Sequence, residues 1–265
     1  TRIIGLTASP GSDIKKDIAM FSELFSGKEF QPDMLKIYPC MVLEKSELYD
    51  TWKEGGFKPY TDEELMEVLS TVKKDIPIYT RIIRVIRDIP ASYIKAGSVI
   101  SNLRQHLIED QKKNNWRCRC IRCREIRNDI FDPKDFLLTK TEYETTTGKE
   151  IFLSFENEKE NKLAAFLRLR LPERVSDDFY KEEMAVLKKS AIVRELHTYG
   201  QLKPIHEKGD QSQHVGLGRS LMEKAEKIAK KDGYKKIAVI SGIGVRGYYR
   251  KLGYELEGTY MVKYL

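Results

Sequence analysis

Two glycines, Gly216 and Gly218, lie where a polar loop gives way to a predicted helix. Glycine lets a backbone approach a phosphate closely, and the amide groups and dipole of a helix N-terminus attract an anion. The segment from Gln213 to Arg219 could therefore hold a pyrophosphate. Alone, the pattern is as consistent with a tight turn at a helix start, because short glycine motifs also occur without a ligand.

Three of the four cysteines fall within six residues, at Cys118, Cys120 and Cys123. Three thiolates at this spacing could hold Zn²⁺, which takes four ligands in tetrahedral geometry, and the adjacent arginines would favour the thiolate form. His106, Cys40, another group or water could supply the fourth ligand. The alternative is a reduced cluster without metal, since three ligands are one short of a complete set.

Basic residues surround these cysteines and also recur in the segment YTRIIRVIRDIP. Dense positive charge beside Trp116 suits an RNA backbone and a stacked base. Composition alone favours a solvated surface, and the arginines of that segment could pair with Asp75 or Asp88. The candidate RNA-binding residues are Arg81, Arg84, Arg87, Lys112, Lys113, Arg117, Arg119 and Arg122.

The composition is that of a globular protein. The 265 residues include 47 Lys+Arg and 40 Asp+Glu, a net charge of +7, with 41% hydrophobic and 33% charged residues. A disordered chain would have fewer apolar residues, and the length indicates one or two domains. No apolar run reaches the roughly 18 residues of a membrane span, and the opening TRIIGLT has no leader pattern. We therefore expect a soluble, cytoplasmic protein with no membrane partner, and the cysteine usage indicates a reducing compartment.

Strands and helices alternate along the chain, which predicts an α/β fold. Ser12 or Asp13 caps a first helix, Thr61 and Glu64 form a capping box, and residues 79–90 are predicted as one strand. A meander of three strands follows from about residue 135, and then a helix after the glycine loop. We expect domains at 1–100 and 135–265, joined by a basic, cysteine-containing linker at 101–134.

The strand RELHTYG, the glycine loop, its helix, the strand IAVIS and the segment YYRKLGYE together resemble the GCN5-related N-acetyltransferase fold. This resemblance implies that acetyl-CoA binds with its pyrophosphate on Gln213, Gly216, Leu217, Gly218 and Arg219. It also implies that the pantetheine arm adds as a strand beside Glu195, Leu196, His197 and Thr198.

The same resemblance places Tyr249, with Tyr248 as its neighbour, near the thioester, where a phenol could protonate a leaving thiolate. Tyr248 could simply pack, and His197 could be an ordinary strand histidine. Glu195 is a candidate general base acting through water. It could equally pair with Arg194 or Arg168.

Longer strings, among them SPGSDIKKDIAMFSELF, ELYDTWKEGGFKPYT, RCRCIRCREI and KKIAVISGIGVRGYYRKLGYELEGTYMVK, resemble the catalytic subunits of Elongator of archaeal or bacterial type. This resemblance runs from about residue 10 to residue 265. It implies a radical S-adenosylmethionine barrel joined to the acetyltransferase domain, and an acetyl-CoA-dependent reaction that gives a carboxymethyl group on C5 of the wobble uridine of tRNA. The resemblance also favours RNA binding over a merely solvated surface for the basic segment. It implies that the partners are tRNA and either Elongator-type subunits or a second copy of the chain.

The chain departs from that family in one respect. Its cysteines, at Cys40, Cys118, Cys120 and Cys123, lack the C-x-x-x-C-x-x-C spacing of the family's iron–sulfur cluster. The 4Fe–4S cluster and S-adenosylmethionine of the full-length family therefore have no support in these residues. Fewer residues separate TRIIGLT from PGSDI here than in the family. We therefore expect an N-terminal truncation, an internal deletion, or a sequence in which only ordered residues are joined together.

Two further functions stay open at this point. An ordinary acetyltransferase would act on a lysine or a small amine without RNA, and a binding module would hold tRNA or partners around a vestigial acetyl-CoA site. The presence of Gln213, Gly216, Gly218 and Tyr249 argues against the vestigial alternative.

Overall fold

The computed structural model describes residues 2–100, 102–127, 132–173, 175–200 and 215–265. The chain divides into two compact units, Thr1–Arg124 and Glu125–Leu265. This boundary lies inside the segment 101–134 that the sequence suggests as a linker. Leu103, Leu107, Cys118 and Cys120 are part of the core of the first unit, so most of the basic segment belongs to that unit.

The first unit contains short strands and longer helices. In chain order they are β1 (Arg2–Thr7), α1 (Ile14–Ser26), β2 (Met34–Pro39), β3 (Val42–Leu43), α2 (Glu47–Lys53), α3 (Asp62–Asp75), β4 (Arg81–Arg84), β5 (Ile94–Ala96), α4 (Leu103–Lys113) and α5 (Ile121–Arg124).

A parallel sheet of order β1-β2-β4 forms the centre of this unit. Asp13 caps α1 by accepting from Lys16 N, and the predicted capping box of Thr61 and Glu64 is present at the start of α3. Leu65, Val68, Leu69 and Val72 repeat at helical spacing and bury one face of α3. One expectation fails here. The predicted strand 79–90 forms only β4, which ends at Arg84.

A buried carboxylate fixes the turn between β1 and α1. Asp17, 2% exposed, accepts hydrogen bonds from Ala8 N at 2.8 Å, from Ser12 Oγ and from Tyr60 Oη. Ala8 has a φ of 56°, a left-handed conformation that is costly for a residue with a Cβ. The three hydrogen bonds compensate for that cost and hold the end of the strand against the helix.

The second unit contains the predicted meander. Its elements are β6 (Leu137–Thr145), β7 (Gly148–Asn157), β8 (Lys162–Pro172), β9 (Ser190–Thr198), α6 (Val215–Lys231), β10 (Lys236–Val239), α7 (Arg246–Lys251), β11 (Glu255–Glu257) and β12 (Tyr260–Tyr264).

These strands form one seven-stranded sheet of order β11-β12-β10-β9-β8-β7-β6. Every neighbouring pair is antiparallel except β9 and β10. The apolar face of α6, with Leu221, Ala225 and Ala229, packs in the core on one side of the sheet. On the other side, Leu187 from a 3₁₀ turn covers Ala238 and Val262. The architecture is the α/β fold that the sequence predicts. Among the described residues, no helix combines the length and the apolar character needed to cross a bilayer.

Candidate functional site

The pairing between β9 and β10 stops halfway along β9. The parallel register runs from Ser190 opposite Lys236 to Val193 opposite Val239, and Ile240 N donates to Val193 O at 3.3 Å. Beyond Val193, β9 continues for five residues, and in the described part of the chain it pairs there only with β8. The two strands therefore form a fork whose free inner edge includes the predicted pantetheine segment from Glu195 to Thr198.

A bulge in the β8–β9 ladder accompanies the fork. Arg168 faces Glu195 while Leu169 faces Val193, so that Arg194 is the extra residue. A bulge bends its strand and increases its twist. The divergence of β9 from β10 thus begins where β9 is bent.

Helix α6 begins at the open end of this fork. A Cβ added to Gly218 would lie 3.0 Å from the Tyr248 hydroxyl and 3.6 Å from Thr198 Cγ2, so these three residues are neighbours. A Cβ on Gly216 would meet nothing within 4 Å. The fork and the first turn of α6 therefore lie side by side. Gln213 lies outside the described residues.

Leu217 and Arg219 complete the first turn of α6. Leu217 is 7% exposed and packs in the core of the unit. The guanidinium of Arg219 lies 2.9 Å from Glu223 on the exposed side of the helix. For both residues, the contribution to a phosphate site would come from the backbone amide.

The two adjacent tyrosines lie in different surroundings. Tyr249 is 6% exposed, packs in the core, and contacts Tyr248 and Tyr254 edge to face. The buried hydroxyl of Tyr248 has no hydrogen-bond partner among the described residues. The sequence indicates Tyr248 only as the neighbour of Tyr249, yet the Tyr248 hydroxyl is the one that lies at the Gly218 position.

Burial keeps both phenols protonated at neutral pH. It raises the pKa of Tyr249 to about 12, with a further contribution from Tyr248. Burial also raises the pKa of Tyr248, and the charge of Arg219 opposes that shift. Both groups can therefore donate a proton, and neither acts as a base near neutral pH.

Glu195 is ion-paired. Arg168 Nε lies 2.9 Å from Glu195 Oε2, and its guanidinium lies 5.4 Å from the ring centres of Phe152 and Phe166. Arg194, the other partner that the sequence suggests, pairs instead with Glu150 at 2.9 Å. One oxygen of the Glu195 carboxylate is thus occupied by a cation, which favours a structural role over that of general base.

His197 is exposed near the end of β9 and forms part of an aromatic row. Its ring stacks on Phe166 with centroids 5.8 Å apart and lies 4.4 Å from the Tyr199 ring. It is therefore not a buried core histidine.

The three clustered cysteines come together in the first unit. Their sulfur atoms all lie within 4.8 Å of one another, and none of the three is in a disulfide. Neither His106 nor Cys40 belongs to this group. His106 instead lies 3.8 Å from Glu109 on the exposed side of α4. The two fourth ligands that the sequence suggests are therefore wrong for this arrangement.

The cluster has a neighbour that the sequence analysis misses. Lys73 of α3 is 1% exposed, and its Nζ lies 3.2 Å from Cys118 Sγ and 3.6 Å from Cys123 Sγ. Its place on the buried face of α3, next to Val72, is the signal that could have identified it. A lysine on an apolar helix face is rarely buried without a partner.

The electrostatics of the cluster favour at least one thiolate. Hydrogen bonds from Cys118 and Cys123 lower the pKa of Cys120 well below its ordinary value. The pKa of Cys118 is raised by its hydrogen bonds with Cys120 and Cys123 and by burial. Burial acts to lower the pKa of Lys73, but the charges of Cys120, Cys118 and Cys123 outweigh it, and the net shift is upward. An ammonium and a thiolate thus stabilise each other.

The candidate RNA-binding residues differ in exposure. Lys112, Lys113, Arg117 and Arg119 are exposed at the end of α4 and after it, and Arg122 is half-buried. Arg81 and Arg84 are the two ends of β4 and Arg87 lies beyond it, so the three do not share one strand. Arg84 pairs with Asp88, one of the two carboxylates that the sequence suggests.

Trp116 is held in place by its neighbours. Its Nε1 donates to Asp110 Oδ2 at 2.7 Å, and Lys74 Nζ lies 5.4 Å from the ring centre. It also lines an open groove of about 740 Å³ between α3 and α4, whose lining includes the carboxylates of Glu63, Glu67 and Glu109 and the ammonium groups of Lys74 and Lys113. The charges of this groove are therefore mixed.

Comparison with known proteins adds three findings. Residues 32–113 match the family described as the radical SAM C-terminal domain. Over 97% of its length the chain is 47% identical to the tRNA uridine(34) acetyltransferase of Methanocaldococcus jannaschii, and it covers 48% of that protein. Over the same share of its length it is 39% identical to Elongator complex protein 3 of Schizosaccharomyces pombe, and it covers 47% of that protein. The structure of an archaeal Elp3 from Methanocaldococcus infernus with an N-terminal deletion matches the whole chain with a TM-score of 0.87 at 45% identity, and the chain covers 63% of it. The chain spans about half the length of the curated relatives it matches.

The Arg168–Glu195 pair generates a stability prediction. We expect Glu195→Gln to lower the free energy of unfolding by about 1 to 2 kcal/mol, because a buried guanidinium loses its counter-charge while Glu195 itself is partly solvated. Glu142→Gln is the matched control, since its pair with Lys140 is exposed and is expected to contribute less than about 0.5 kcal/mol. Urea denaturation measures both changes, and equal effects would contradict the prediction.

Proposed function

This chain belongs to the family of the tRNA uridine(34) acetyltransferases and Elongator complex protein 3, and from that premise we propose that it acts in acetyl-CoA-dependent modification of the wobble uridine of tRNA. The product would be a carboxymethyl group at C5, and the second unit would bind acetyl-CoA and cleave its thioester. The homology confirms the family that the sequence strings indicate.

The fork between β9 and β10 is the observation that supports this proposal most. Its free inner edge offers backbone donors and acceptors to an extended pantetheine arm, which would add as a strand beside Glu195–Thr198. The pyrophosphate would then lie on the amides of Gly216–Arg219 at the start of α6. The pantetheine arm would thus pair with backbone groups of β9, and the pyrophosphate would accept hydrogen bonds from the amides at the start of α6.

The tyrosines supply the proton that thioester cleavage requires. When water attacks the thioester carbonyl, the carbon–sulfur bond breaks and the thiolate leaves. A phenol that is protonated at neutral pH can donate its proton to that thiolate. We assign this role to Tyr249 from the family resemblance, and Tyr248, whose hydroxyl lies at the fork, is the second candidate. The water oxygen becomes bonded to the acyl carbon, which leaves as a carboxylic acid, and coenzyme A leaves as the thiol. A proton of the attacking water restores the phenol.

The cysteines support a zinc site and not an iron–sulfur cluster. Cys118, Cys120 and Cys123 lie close enough to bind one ion together, and Cys40 does not join them. We propose that they hold Zn²⁺ as a structural ion. They do not fit the three-cysteine spacing of the radical enzymes, so we derive no step through that cluster or through S-adenosylmethionine.

The decisive test is acetyl-CoA hydrolysis with and without tRNA, measured as thiol release. We expect tRNA to stimulate the release, because the acyl group would be freed only when its acceptor is bound. Acetyl transfer to lysine peptides in the absence of RNA would favour an ordinary acetyltransferase. Binding of tRNA without any thiol release would favour a binding module, and either result would overturn the proposal.

The glycine at the fork provides a test of the ligand position. Gly218→Ala, alone or with Gly216→Ala, would place a Cβ 3.0 Å from the Tyr248 hydroxyl and crowd the first turn of α6. We expect acetyl-CoA affinity to fall at least tenfold, about 1.4 kcal/mol, with tRNA affinity unchanged. Gly247→Ala is the control, because its Cβ meets nothing within 4 Å. Calorimetry showing unchanged acetyl-CoA affinity for Gly218→Ala would remove the phosphate-binding assignment.

The exposed basic residues provide a test of RNA binding. Replacing Lys112, Lys113 and Arg117 by alanine should weaken tRNA binding and flatten its dependence on salt, by roughly 0.7 to 0.9 in the log–log slope for each phosphate that the protein no longer neutralises. Replacing Lys224, Lys227 and Lys231 on α6 removes the same charge from exposed positions elsewhere and is the matched control. If both triple variants change the slope equally, the interaction is non-specific attraction to the net charge.

A further inference from the structure

We propose that Glu150 is a positioning residue for the acetyl-CoA site. By holding Arg194 it would fix the bulge at which β9 leaves β10, and so the alignment of the edge that would receive the pantetheine arm. This inference rests on the proposed function, because it concerns the same site. Glu150 lies on β7, and β8 separates β7 from β9 in the sheet, so Glu150 would act on the ligand through β9.

The bulge places two consecutive charged residues on one face of the sheet. Side chains along a regular strand alternate between the two faces, so residues three apart lie on opposite faces. Val193 and Leu196 nevertheless both pack in the core that includes α6. Arg194 and Glu195, between them, both lie on the other face, where each meets an opposite charge.

Glu150 binds two arginines at once. Its side chain is 6% exposed, and Oε2 accepts from Arg194 Nε at 3.1 Å and from Arg194 Nη2 at 2.9 Å. Oε1 accepts from Arg170 Nη1 at 2.8 Å, and that nitrogen also donates to Thr145 Oγ1 at 3.0 Å. A carboxylate with a guanidinium on each oxygen is held in one orientation, so it provides Arg194 with a fixed partner.

This contact selects the bulged register over the regular one. In the bulged register Leu169 faces Val193, and both residues are in the core. Without the extra residue Leu169 would face Arg194, and that guanidinium would point into the same apolar core. Burying a guanidinium away from its counter-charge is costly. The pair with Glu150 stabilises Arg194 on the charged face and therefore stabilises the bulge.

The position of the bulge decides where the free edge begins. Val193 is the last residue of β9 in register with β10, opposite Val239, and the bulge residue Arg194 follows it directly. A slip of one residue would exchange the faces of the stretch from Glu195 to Thr198. A pantetheine arm that adds as a strand needs backbone donors and acceptors at fixed positions. Loss of Glu150 should therefore weaken contacts to the pantetheine arm and spare those to the pyrophosphate at α6.

The first experiment compares acetyl-CoA with its nucleotide half. That half, ADP with the ribose phosphate, ends at the pyrophosphate and lacks the pantetheine arm. We expect Glu150→Gln to lower the affinity of the full chain for acetyl-CoA about tenfold, because hydrogen bonds to a charged group are lost. The affinity for the nucleotide half should stay unchanged. Calorimetry measures both.

Glu156→Gln is the matched control. Glu156 also lies on β7, at the opposite end from Glu150, is 8% exposed and accepts from Ser154 Oγ at 2.6 Å. The same substitution there removes a carboxylate at a similar depth but away from Arg194. We expect this variant to bind acetyl-CoA as tightly as the unmodified chain does.

Arg194→Gln breaks the same contact from the other side. The Arg194 side chain is 26% exposed, and Glu150 keeps Arg170 as its partner, so no buried charge is left without an opposite one. This variant should therefore fold even if Glu150→Gln does not. We expect it to reproduce the loss of acetyl-CoA affinity with the nucleotide half again unaffected.

Amide hydrogen exchange observes the bulge without any ligand. We expect Glu150→Gln and Arg194→Gln to speed the exchange of the amides of residues 193–196 about tenfold, because the register is held less tightly. Exchange at these amides in Glu156→Gln should match that of the unmodified chain.

The outcomes separate this inference from the proposed function. If the unmodified chain does not bind acetyl-CoA, the proposed function is overturned and the positioning role with it. If it binds acetyl-CoA and both Glu150→Gln and Arg194→Gln bind equally well, the function stands and the role of Glu150 is refuted. An equal loss of affinity for acetyl-CoA and for the nucleotide half would also refute it, since that pattern indicates general destabilisation.

Discussion

The structure of the second unit depends on where two parallel strands separate. Only Ser190 to Val193 of β9 pair with β10, although β9 continues to Thr198. The bulge beside Arg168 bends β9 at that point. The buried Arg168 guanidinium, 5.4 Å from the ring centres of Phe152 and Phe166, pairs with Glu195 of the bent strand. Because β8 still pairs with the remainder of β9, the free part stays extended. An open backbone edge, the first turn of α6 and the Tyr248 hydroxyl are brought together as a result.

Both units bury cations, and each cation is compensated by a different kind of partner. Arg168 has a carboxylate and two aromatic faces, Lys73 has sulfur, and Arg124, 2% exposed, donates to the backbone carbonyls of Arg119 and Ile78. A guanidinium has five donors in a planar fork, which suits carbonyls and ring faces. An ammonium is a compact charge, which suits a cluster of anionic atoms. The choice between arginine and lysine at these positions therefore follows from the surroundings.

Local patterns predicted the elements better than the contacts between them. The meander was predictable because alternating apolar residues flank a turn at Gly148, whose φ of 138° and close approach to the Leu171 carbonyl oxygen admit only glycine. The capping box at Thr61 was predictable because both partners lie three residues apart. The short β4 and the position of Lys73 were not, since strand length depends on the partner strand and Lys73 meets its sulfur atoms 45 and 50 residues away. The choice between Arg168 and Arg194 as the partner of Glu195 likewise needed the register of three strands.

The edge of β9 that has no partner strand among the described residues also has a cost when no ligand lies on it. A row of backbone donors and acceptors that can receive a pantetheine arm can equally receive a strand of another molecule, and such edges are where folded proteins begin to aggregate. Charged and polar side chains along this stretch, Arg194, Glu195, His197 and Thr198, discourage that pairing. A ligand that pairs with this edge would thus close the sheet as well as occupy the site, because it would cover the backbone groups on which another strand could assemble.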